Sequence, residues 1–240
     1  MVGYQEILTD PSYAGQGIVM SYPLIGNYGV NSEDNESSRP WGEAFVVRHL
    51  SRRGSNFRCE GDLDDYLKEH GITGIQGVDT RAITRILRSQ GTMNGMITCA
   101  EDFCIQDVLK TVEAYRVKGT VERVTRKAVQ VYPPLIRQKL RVALMDFGVK
   151  ENMIRCLQSR GCEVTVFPAH TTAQEILAGR YDGVMLSNGP GDPSDNVAII
   201  QEIRDLYDAG IPIFAVCLGH QLMALATGAS TRKMRFGHRG

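Results

Sequence analysis

Residues 211–226 read IPIFAVCLGHQLMALA, and this stretch decides the fold of the second half of the chain. The short apolar run at residues 211–216 predicts a buried strand, and residues 218–226 predict a helix. Cys217 stands at the step between them, with a small residue two positions away on either side. This arrangement is typical of a nucleophile elbow, a sharp strand-to-helix turn that lifts one side chain above a parallel sheet.

The residues before this stretch repeat the same alternation of strand and helix. Apolar runs and helical periodicity take turns at residues 142–145, 151–160, 164–167, 172–178, 183–186 and 197–209. Thr172 and Glu175 have the spacing of a capping box, and Gly161 follows the helix predicted at 151–160. Alternating strands and helices form βαβ units. We therefore expect a C-terminal α/β domain with a doubly wound parallel sheet.

The first 120 residues have a different texture, with Gly, Asn, Ser and Asp between short apolar runs. Two strands and two helices are predicted there, at residues 18–20, 44–47, 62–69 and 79–88. Asp62 is the candidate N-cap of the first helix, Asp79 or Thr80 that of the second, and Gly91 ends the second. We expect a smaller α+β domain whose strand order the sequence leaves open.

A more charged stretch separates the two halves. Residues 113–140 contain Pro133-Pro134, which fit neither a helix interior nor a central strand. We expect one domain at residues 1–120, a linker at 121–140 and a second domain at 141–240.

Composition excludes several function classes. Lys+Arg and Asp+Glu both number 27, so the formal net charge is zero, and no basic block is longer than Arg123 to Lys127. A nucleic acid partner is therefore not expected. Residues 209–215, the longest nearly uncharged stretch near the C-terminus, are too short to cross a bilayer. Residues 1–6 show no feature of a signal peptide, so we expect a cytoplasmic protein with no membrane partner.

The six cysteines include no C-x-x-C pair. Their scattered spacing in a chain of this length does not indicate a disulfide scaffold. We expect reduced thiols, most of them small core residues. Cys217 is the exception, because the elbow makes a buried structural cysteine the weaker interpretation there.

A second unusual loop follows a predicted strand. Residues 187–193 read SNGPGDP, and the glycines let backbone N–H groups approach a ligand closely. Considered alone, the loop is more simply a tight strand-to-helix connection. It is not a phosphate loop, because no Lys-Ser or Lys-Thr follows and G-x-G-x-x-G is absent. Ligands of an open parallel sheet bind at the carboxyl ends of its strands, where this loop and Cys217 should both lie.

The surroundings of Cys217 suit a nucleophile. The start of the following helix favours the thiolate, and the backbone N–H of Leu218 is placed to stabilise an oxyanion. His220 is a poor candidate for the base, because a residue in the elbow's own helix points away from the nucleophile. The base and its orienting acid are expected later in the chain, where His238 is the only histidine.

These motifs also resemble a known family. Residues 215–221 (AVCLGHQ) and 187–193 (SNGPGDP) resemble the class I glutamine amidotransferase domain. Residues 3–13 (GYQEILTDPSY), 25–31 (IGNYGVN) and 79–85 (DTRAITR) resemble the small subunit of carbamoyl-phosphate synthetase. The resemblance runs through nearly the whole chain and joins both domains in the expected order.

The resemblance implies glutamine hydrolysis. Cys217 matches the nucleophile that forms a thioester and releases ammonia, and Leu218 and Gln221 match residues that contact bound L-glutamine. Ammonia would pass by an internal tunnel to a large carbamoyl-phosphate synthetase subunit. That subunit would use ATP, Mg and bicarbonate to make carbamoyl phosphate for arginine and pyrimidine synthesis. This chain itself is expected to hold no cofactor and no metal.

The resemblance also implies a composite glutamine site. Gly189 and Gly191 match the loop that holds glutamine and offers oxyanion contacts. Ser12, from the other domain, matches a residue that reaches the α-amino and carboxylate end of the substrate. From the residues alone, Ser12 would be only a turn residue after Pro11.

Three departures from the family pattern shape our expectations. Ala215 stands where many relatives carry glycine. The first strands of the N-terminal domain and the C-terminal His-x-Glu pair are both expected to be missing from residues 1–240. The resemblance implies that this pair supplies the general base of the reaction. Since a general base contributes about 10² to 10⁴ in rate, we expect residues 1–240 alone to be nearly inactive.

Two other interpretations compete. A non-catalytic amidotransferase-like module would only dock a synthetase partner, and would need neither a reactive Cys217 nor an open glutamine pocket. An elbow-cysteine enzyme of the peptidase or deglycase type would explain the second half, but it leaves residues 3–13 and the paired glycines unexplained.

Overall fold

The computed structural model of the protein describes residues 3–235. Its first half has five short strands, namely β1 (Gly17–Val19), β2 (Leu24–Ile25), β3 (Ala44–Val46), β4 (His49–Leu50) and β5 (Thr73–Ile75). A three-stranded sheet has the order β1-β3-β5, and β2 pairs separately with β4. All of these pairings are parallel.

Four helices accompany these strands: α1 (Tyr4–Thr9), α2 (Leu63–Glu69), α3 (Thr80–Gln90) and α4 (Ile105–Ala114). The core of this half forms where α1 and α2 meet the strands, around Tyr4, Leu8, Phe45 and Leu63. In contrast, α3 buries only Thr80 and α4 buries no residue. The smaller α+β domain expected before the amidotransferase domain is confirmed.

The predicted caps of the first half had different outcomes. Asp79 caps α3, because its carboxylate accepts the N–H of Ala82 at 3.0 Å, and Gly91 ends the helix with φ 94°. Asp62 stands at the N-cap position of α2 but makes no cap hydrogen bond. Its Oδ1 accepts the N–H of Gly54 at 2.7 Å instead. The capping role predicted for Asp62 is therefore wrong, since a long-range backbone donor takes the carboxylate.

The second half is built on one five-stranded sheet. Its strands are β6 (Gln130–Tyr132), β7 (Leu140–Asp146), β8 (Cys162–Pro168), β9 (Gly183–Leu186) and β10 (Ile213–Ala215), and the short helix α5 (Thr120–Val124) precedes them. The spatial order is β10-β9-β7-β8-β6. Neighbouring strands are parallel, except that β6 runs antiparallel to β8 at one edge.

Helices cover both faces of this sheet. They are α6 (Glu151–Gln158), α7 (Ala173–Ala178), α8 (Val197–Asp208) and α9 (Leu218–Ala226). Successive side chains of a strand point to opposite faces, so Met145 packs with α7, α8 and α9 while Leu144 packs on the other face with Ile154 of α6. The doubly wound parallel sheet is confirmed, and the Thr172–Glu175 capping box of α7 is present.

Residues 121–140 differ from the expected linker. Val121, in α5, is 1% exposed and packs in the core of the second half, while β6 is an edge strand of its sheet. The sequence hid this strand because it has only three residues. Pro133-Pro134 follow it directly, as residues without a ladder N–H should. The domain boundaries themselves stay a prediction.

The expectation that most cysteines are core residues is wrong. Only Cys162, in β8, is buried, and Cys59 is half-buried. The others are exposed: Cys99, Cys104, Cys156 and Cys217. Position explains this exposure, because Cys104 precedes α4, which buries nothing, and Cys217 is lifted out by its turn. In the described part of the chain, no helix is long and apolar enough to cross a membrane.

Candidate functional site

Cys217 occupies a strained turn between β10 and α9. Its backbone angles are φ 53° and ψ −113°, and within residues 3–235 only Arg180 is another non-glycine residue with positive φ. Such a conformation costs about 1–3 kcal/mol and persists only where the surrounding structure imposes it. The exposed thiol at this position is the geometry that the elbow motif predicts.

Gly219 locks the elbow against β9. Its N–H donates to Ser187 O at 3.0 Å and to Val216 O at 3.0 Å. A Cβ at this position would lie 2.5 Å from the carbonyl oxygen of Leu186. Only glycine permits this approach, so the backbone of the neighbouring strand holds the strained turn in place.

The loop at residues 187–191 packs against Phe147, the residue that follows β7. The Ser187 hydroxyl accepts the N–H of Phe147 at 2.9 Å and donates to Asn188 O at 2.8 Å. A Cβ on Gly189 would lie 2.2 Å from Phe147 O and 2.9 Å from Cδ2 of Leu218. Gly189 therefore brings this loop against the first residue of α9, and glycine is required by close approach rather than by the turn alone.

Gly191 closes the other end of the loop. Its φ is 91°, and a Cβ there would lie 2.4 Å from Oγ1 of Thr120. The carboxylate of Asp192, next along, accepts hydrogen bonds from the hydroxyl and the N–H of Ser194 at 2.7 and 2.9 Å. These two bonds lower the pKa of Asp192 below its ordinary value. A charged carboxylate therefore directly follows the loop at residues 187–191.

Leu218 and Gln221 follow Cys217 on α9. Leu218 is 1% exposed, and its N–H has no backbone acceptor in the described part of the chain. A first-turn N–H of this kind is free to stabilise an oxyanion at the thiol. Gln221 lies one turn on, exposed, with its N–H bonded to Cys217 O at 3.1 Å.

Ser12 reaches this edge of the sheet from the first half of the chain. The side-chain amide of Asn188 lies 3.0 Å from the Ser12 hydroxyl and 2.8 Å from Gly148 O. Ser12 itself sits in a short 3-10 turn, Pro11–Tyr13, capped by Asp10. The structure thus brings Ser12 beside the loop of Gly189, although its contact with a substrate stays a prediction.

Two residues of this region were not singled out from the sequence. Asn188 is 4% exposed and contacts both halves of the chain. Lys150 forms an ion pair with Asp10 at 2.8 Å. Burial disfavours its ammonium, but the hydrogen bond and the charges of Asp10 and Glu36 outweigh burial and raise the pKa of Lys150. For Asn188 the available signal was its position beside Ser187 at the carboxyl end of a predicted strand, whereas Lys150 follows the apolar Phe147-Gly148-Val149 and had no such signal.

A buried carboxylate supports the end of β7. Asp146 is 2% exposed, and its Oδ1 accepts the N–H groups of Gly148 and Val149 at 2.9 and 2.8 Å. Its other oxygen faces Nε of Arg126 at 3.4 Å. The two Oδ1 hydrogen bonds hold the turn whose carbonyl groups contact Asn188 and Gly189.

Within the described residues, no candidate base is hydrogen-bonded to the Cys217 thiol and no candidate metal site occurs. His220 is exposed on α9, and no side-chain hydrogen bond of Cys217 occurs within residues 3–235. His238 lies outside the described residues. Within the described range, no group of three or more His, Cys, Asp or Glu could hold a metal ion.

Comparison with protein families gives two separate matches. Residues 1–97 match the model described as carbamoyl-phosphate synthase small chain, CPSase domain. Residues 143–240 match the glutamine amidotransferase class-I model. A carbamoyl phosphate synthase small chain of Clostridium perfringens is 47% identical over all 240 residues, which cover 67% of that relative. The chain belongs to the carbamoyl phosphate synthase small chain family.

Other members show the same relation. The small chain of Bacillus caldolyticus is 48% identical over 240 residues, all of this chain and 65% of that relative. The small chain of Symbiobacterium thermophilum is 47% identical, with 67% of its length covered. The chain thus spans about two thirds of the length of the small chains that it matches. The small-chain resemblance drawn from the sequence motifs is confirmed.

One solved structure shows a weaker similarity. It is a GMP synthase-like protein from Thermoplasma acidophilum, 24% identical, with a TM-score of 0.35 over 40% of this chain and 48% of that chain. A similarity this low adds nothing to the description of the fold.

Proposed function

We propose that this chain carries the glutaminase site of a carbamoyl phosphate synthase, with Cys217 as the nucleophile. The observation that carries the proposal is the strained, exposed position of Cys217 at the start of α9, beside the glycine loop. The names of the relatives and the class-I amidotransferase match support it.

The proposed reaction has two steps. The thiolate sulfur of Cys217 bonds to the side-chain amide carbon of glutamine, the C–N bond breaks, and the nitrogen takes a proton and leaves as ammonia. Water then attacks the thioester, which releases glutamate and restores the thiol. The N–H of Leu218 would stabilise the oxyanion formed in both steps.

The remaining site residues are proposed to bind glutamine. Gly189 and Gly191 would present backbone N–H groups from the loop, and Gln221 would contact the substrate from the exposed side of α9. Ser12 would hold the α-amino and carboxylate end. The position of Ser12 beside Asn188 supports this role, because the loop and the Ser12 turn meet there.

The proposed partner is the large carbamoyl phosphate synthase subunit. It would receive the ammonia through an internal tunnel and would itself hold ATP and Mg. Loss of ammonia to water would defeat the coupling, so the two chains must act as one complex.

The test replaces the nucleophile in the complete gene product assembled with its partner. Cys217→Ser should lower glutamine-dependent synthesis by roughly 10³-fold or more, while synthesis from added ammonia is retained. A matched control is Cys156→Ser, since Cys156 is also exposed but lies on α6. Equal loss of both activities would show that Cys217 is structural.

A labelling experiment separates the non-catalytic alternative. A glutamine-like electrophile should modify Cys217 faster than the other exposed cysteines, and glutamine should protect it. A module that only docks a partner would show neither effect. The low activity expected of residues 1–240 alone stays a prediction, and ammonia release at a rate near that of an intact relative would contradict it.

A further inference from the structure

Glu36, in the first half of the chain, meets the start of α6 in the second half. Its backbone carbonyl accepts the N–H of Glu151 at 2.8 Å, and its Oε2 lies 3.4 Å from the N–H of Asn152. The first N–H groups of a helix have no intrahelical acceptor. The N-cap residue Lys150 supplies no side-chain cap, so Glu36 takes the place of a cap from another part of the chain.

Charge reinforces this contact. The N-terminal end of a helix carries a partial positive charge, and the Lys150 ammonium adds a full one beside it. Two carboxylates of the first half face these charges. Asp10 pairs with Lys150 at 2.8 Å, and Glu36 also acts on Lys150 electrostatically. The attraction therefore runs from the first half to the second at two points.

Hydrogen bonds also connect Glu36 to the segment that leads into the Ser12 turn. Its N–H donates to Oγ1 of Thr9 at 2.9 Å, and the Ser37 hydroxyl donates to Thr9 O at 2.5 Å. Thr9 directly precedes Asp10, whose Oδ1 accepts the N–H of Ser12 at 2.8 Å. One residue thus joins the start of α6 to the Ser12 turn.

We infer that Glu36 is a positioning residue for glutamine binding: it holds the Ser12 turn in register with the loop at residues 187–191 without contacting the substrate itself. This inference rests on the proposed function, because Ser12 is proposed to bind the α end of glutamine. That end is remote from the reacting amide. Its contacts are equally strong in the ground state and the transition state, so losing them raises KM and leaves kcat unchanged.

The first experiment measures steady-state kinetics of the complete gene product in complex with its partner. Glu36→Ala keeps both backbone hydrogen bonds of Glu36 and removes only its carboxylate, with the contact to Asn152 and the charge near Lys150. Loss of the carboxylate should raise the KM for glutamine about three- to tenfold, with kcat within about twofold and ammonia-dependent synthesis unchanged. Glu36→Gln keeps an oxygen acceptor and loses only the charge, so its KM should rise less.

Glu33→Ala is the matched control. Glu33 lies in the same loop, is largely exposed and pairs with Arg58 at 3.4 Å within the first half. Its removal should leave KM unchanged. A rise in KM for Glu33→Ala equal to that for Glu36→Ala would overturn the inference, because it would show a general effect of the loop.

A second measurement keeps the inference separate from the proposed chemistry. Glutamine is titrated calorimetrically into the complex in a Cys217→Ala background, with and without Glu36→Ala. Weaker binding with Glu36→Ala supports the positioning role, even if Cys217 proves not to be the nucleophile. Unchanged affinity, or a fall in kcat at constant KM, would overturn it.

Discussion

The two halves of the molecule bury their elements very differently. In the second half, Leu144 and Met145 of β7 are both fully buried, on opposite faces of the sheet. In the first half, α3 has the strong periodicity of an amphipathic helix, yet Ile86 is 50% exposed and α4 buries nothing. Periodicity therefore predicts that a helix forms, but not that its apolar face is covered. The candidate site lies in the half whose sheet is covered by helices on both faces, although Phe214 of β10, close to the elbow, is 67% exposed.

Among substitutions that leave Cys217 in place, the largest expected effect is at the loop beside the elbow. Gly189→Ala places a Cβ 2.2 Å from Phe147 O, so the loop must shift by about 1 Å, which can cost roughly 10²-fold in rate. Gly95→Ala is the control, because nothing lies within 4 Å of a Cβ there. Glutamine-dependent ammonia release by the complete complex should fall only for Gly189→Ala. Full activity of that variant would contradict the tight packing of the loop.

A pair of identical substitutions tests the difference in packing. Ile154 on α6 is 0% exposed and Ile86 on α3 is 50% exposed. Ile154→Ala should lower the free energy of unfolding by about 2–5 kcal/mol, because it removes methyl groups from a closed core. Ile86→Ala should cost less than about 1 kcal/mol. Urea unfolding followed by circular dichroism measures both, and equal losses would show that α3 is covered in solution.

The smallest expected effects concern the helix caps. Thr172→Ala removes the capping box of α7, whose Ile176 is fully buried, and should cost about 1 kcal/mol of global stability.

Asp79→Ala removes the cap of α3, a helix that buries only Thr80. That helix should therefore fray locally, with little change in the urea midpoint. Faster hydrogen exchange at Ala82, which loses its bond to Asp79, would confirm the fraying. A larger midpoint shift for Asp79→Ala would reverse the comparison.

Local signals in the sequence were good guides to the second half. The alternation of strands and helices predicted the sheet, and the position of Cys217 predicted the elbow, because both depend on neighbours in the chain. The same signals missed β5, β6 and the short pair of β2 and β4. Strands of two or three residues carry too little pattern to be seen without their partners.

The candidate site divides in the same way. Cys217, Leu218 and the loop glycines could be found from the sequence, since strand ends and glycine-rich turns mark them. Asn188 and Lys150 could not be ranked above their neighbours, because their importance lies in contacts with Ser12 and Asp10, more than 130 residues away along the chain.

By itself the sequence determined the class of fold, the elbow and the family, because periodicity, small residues and motif spacing are properties of neighbouring residues. Only the tertiary structure decided which elements are covered and which distant groups meet. It exposed four of the six cysteines, moved the carboxylate of Asp62 from its helix to Gly54, and set Glu36 on the start of α6. These outcomes depend on packing in three dimensions, because a backbone N–H group pairs with the acceptor that the fold brings within reach, however distant that acceptor is in the sequence.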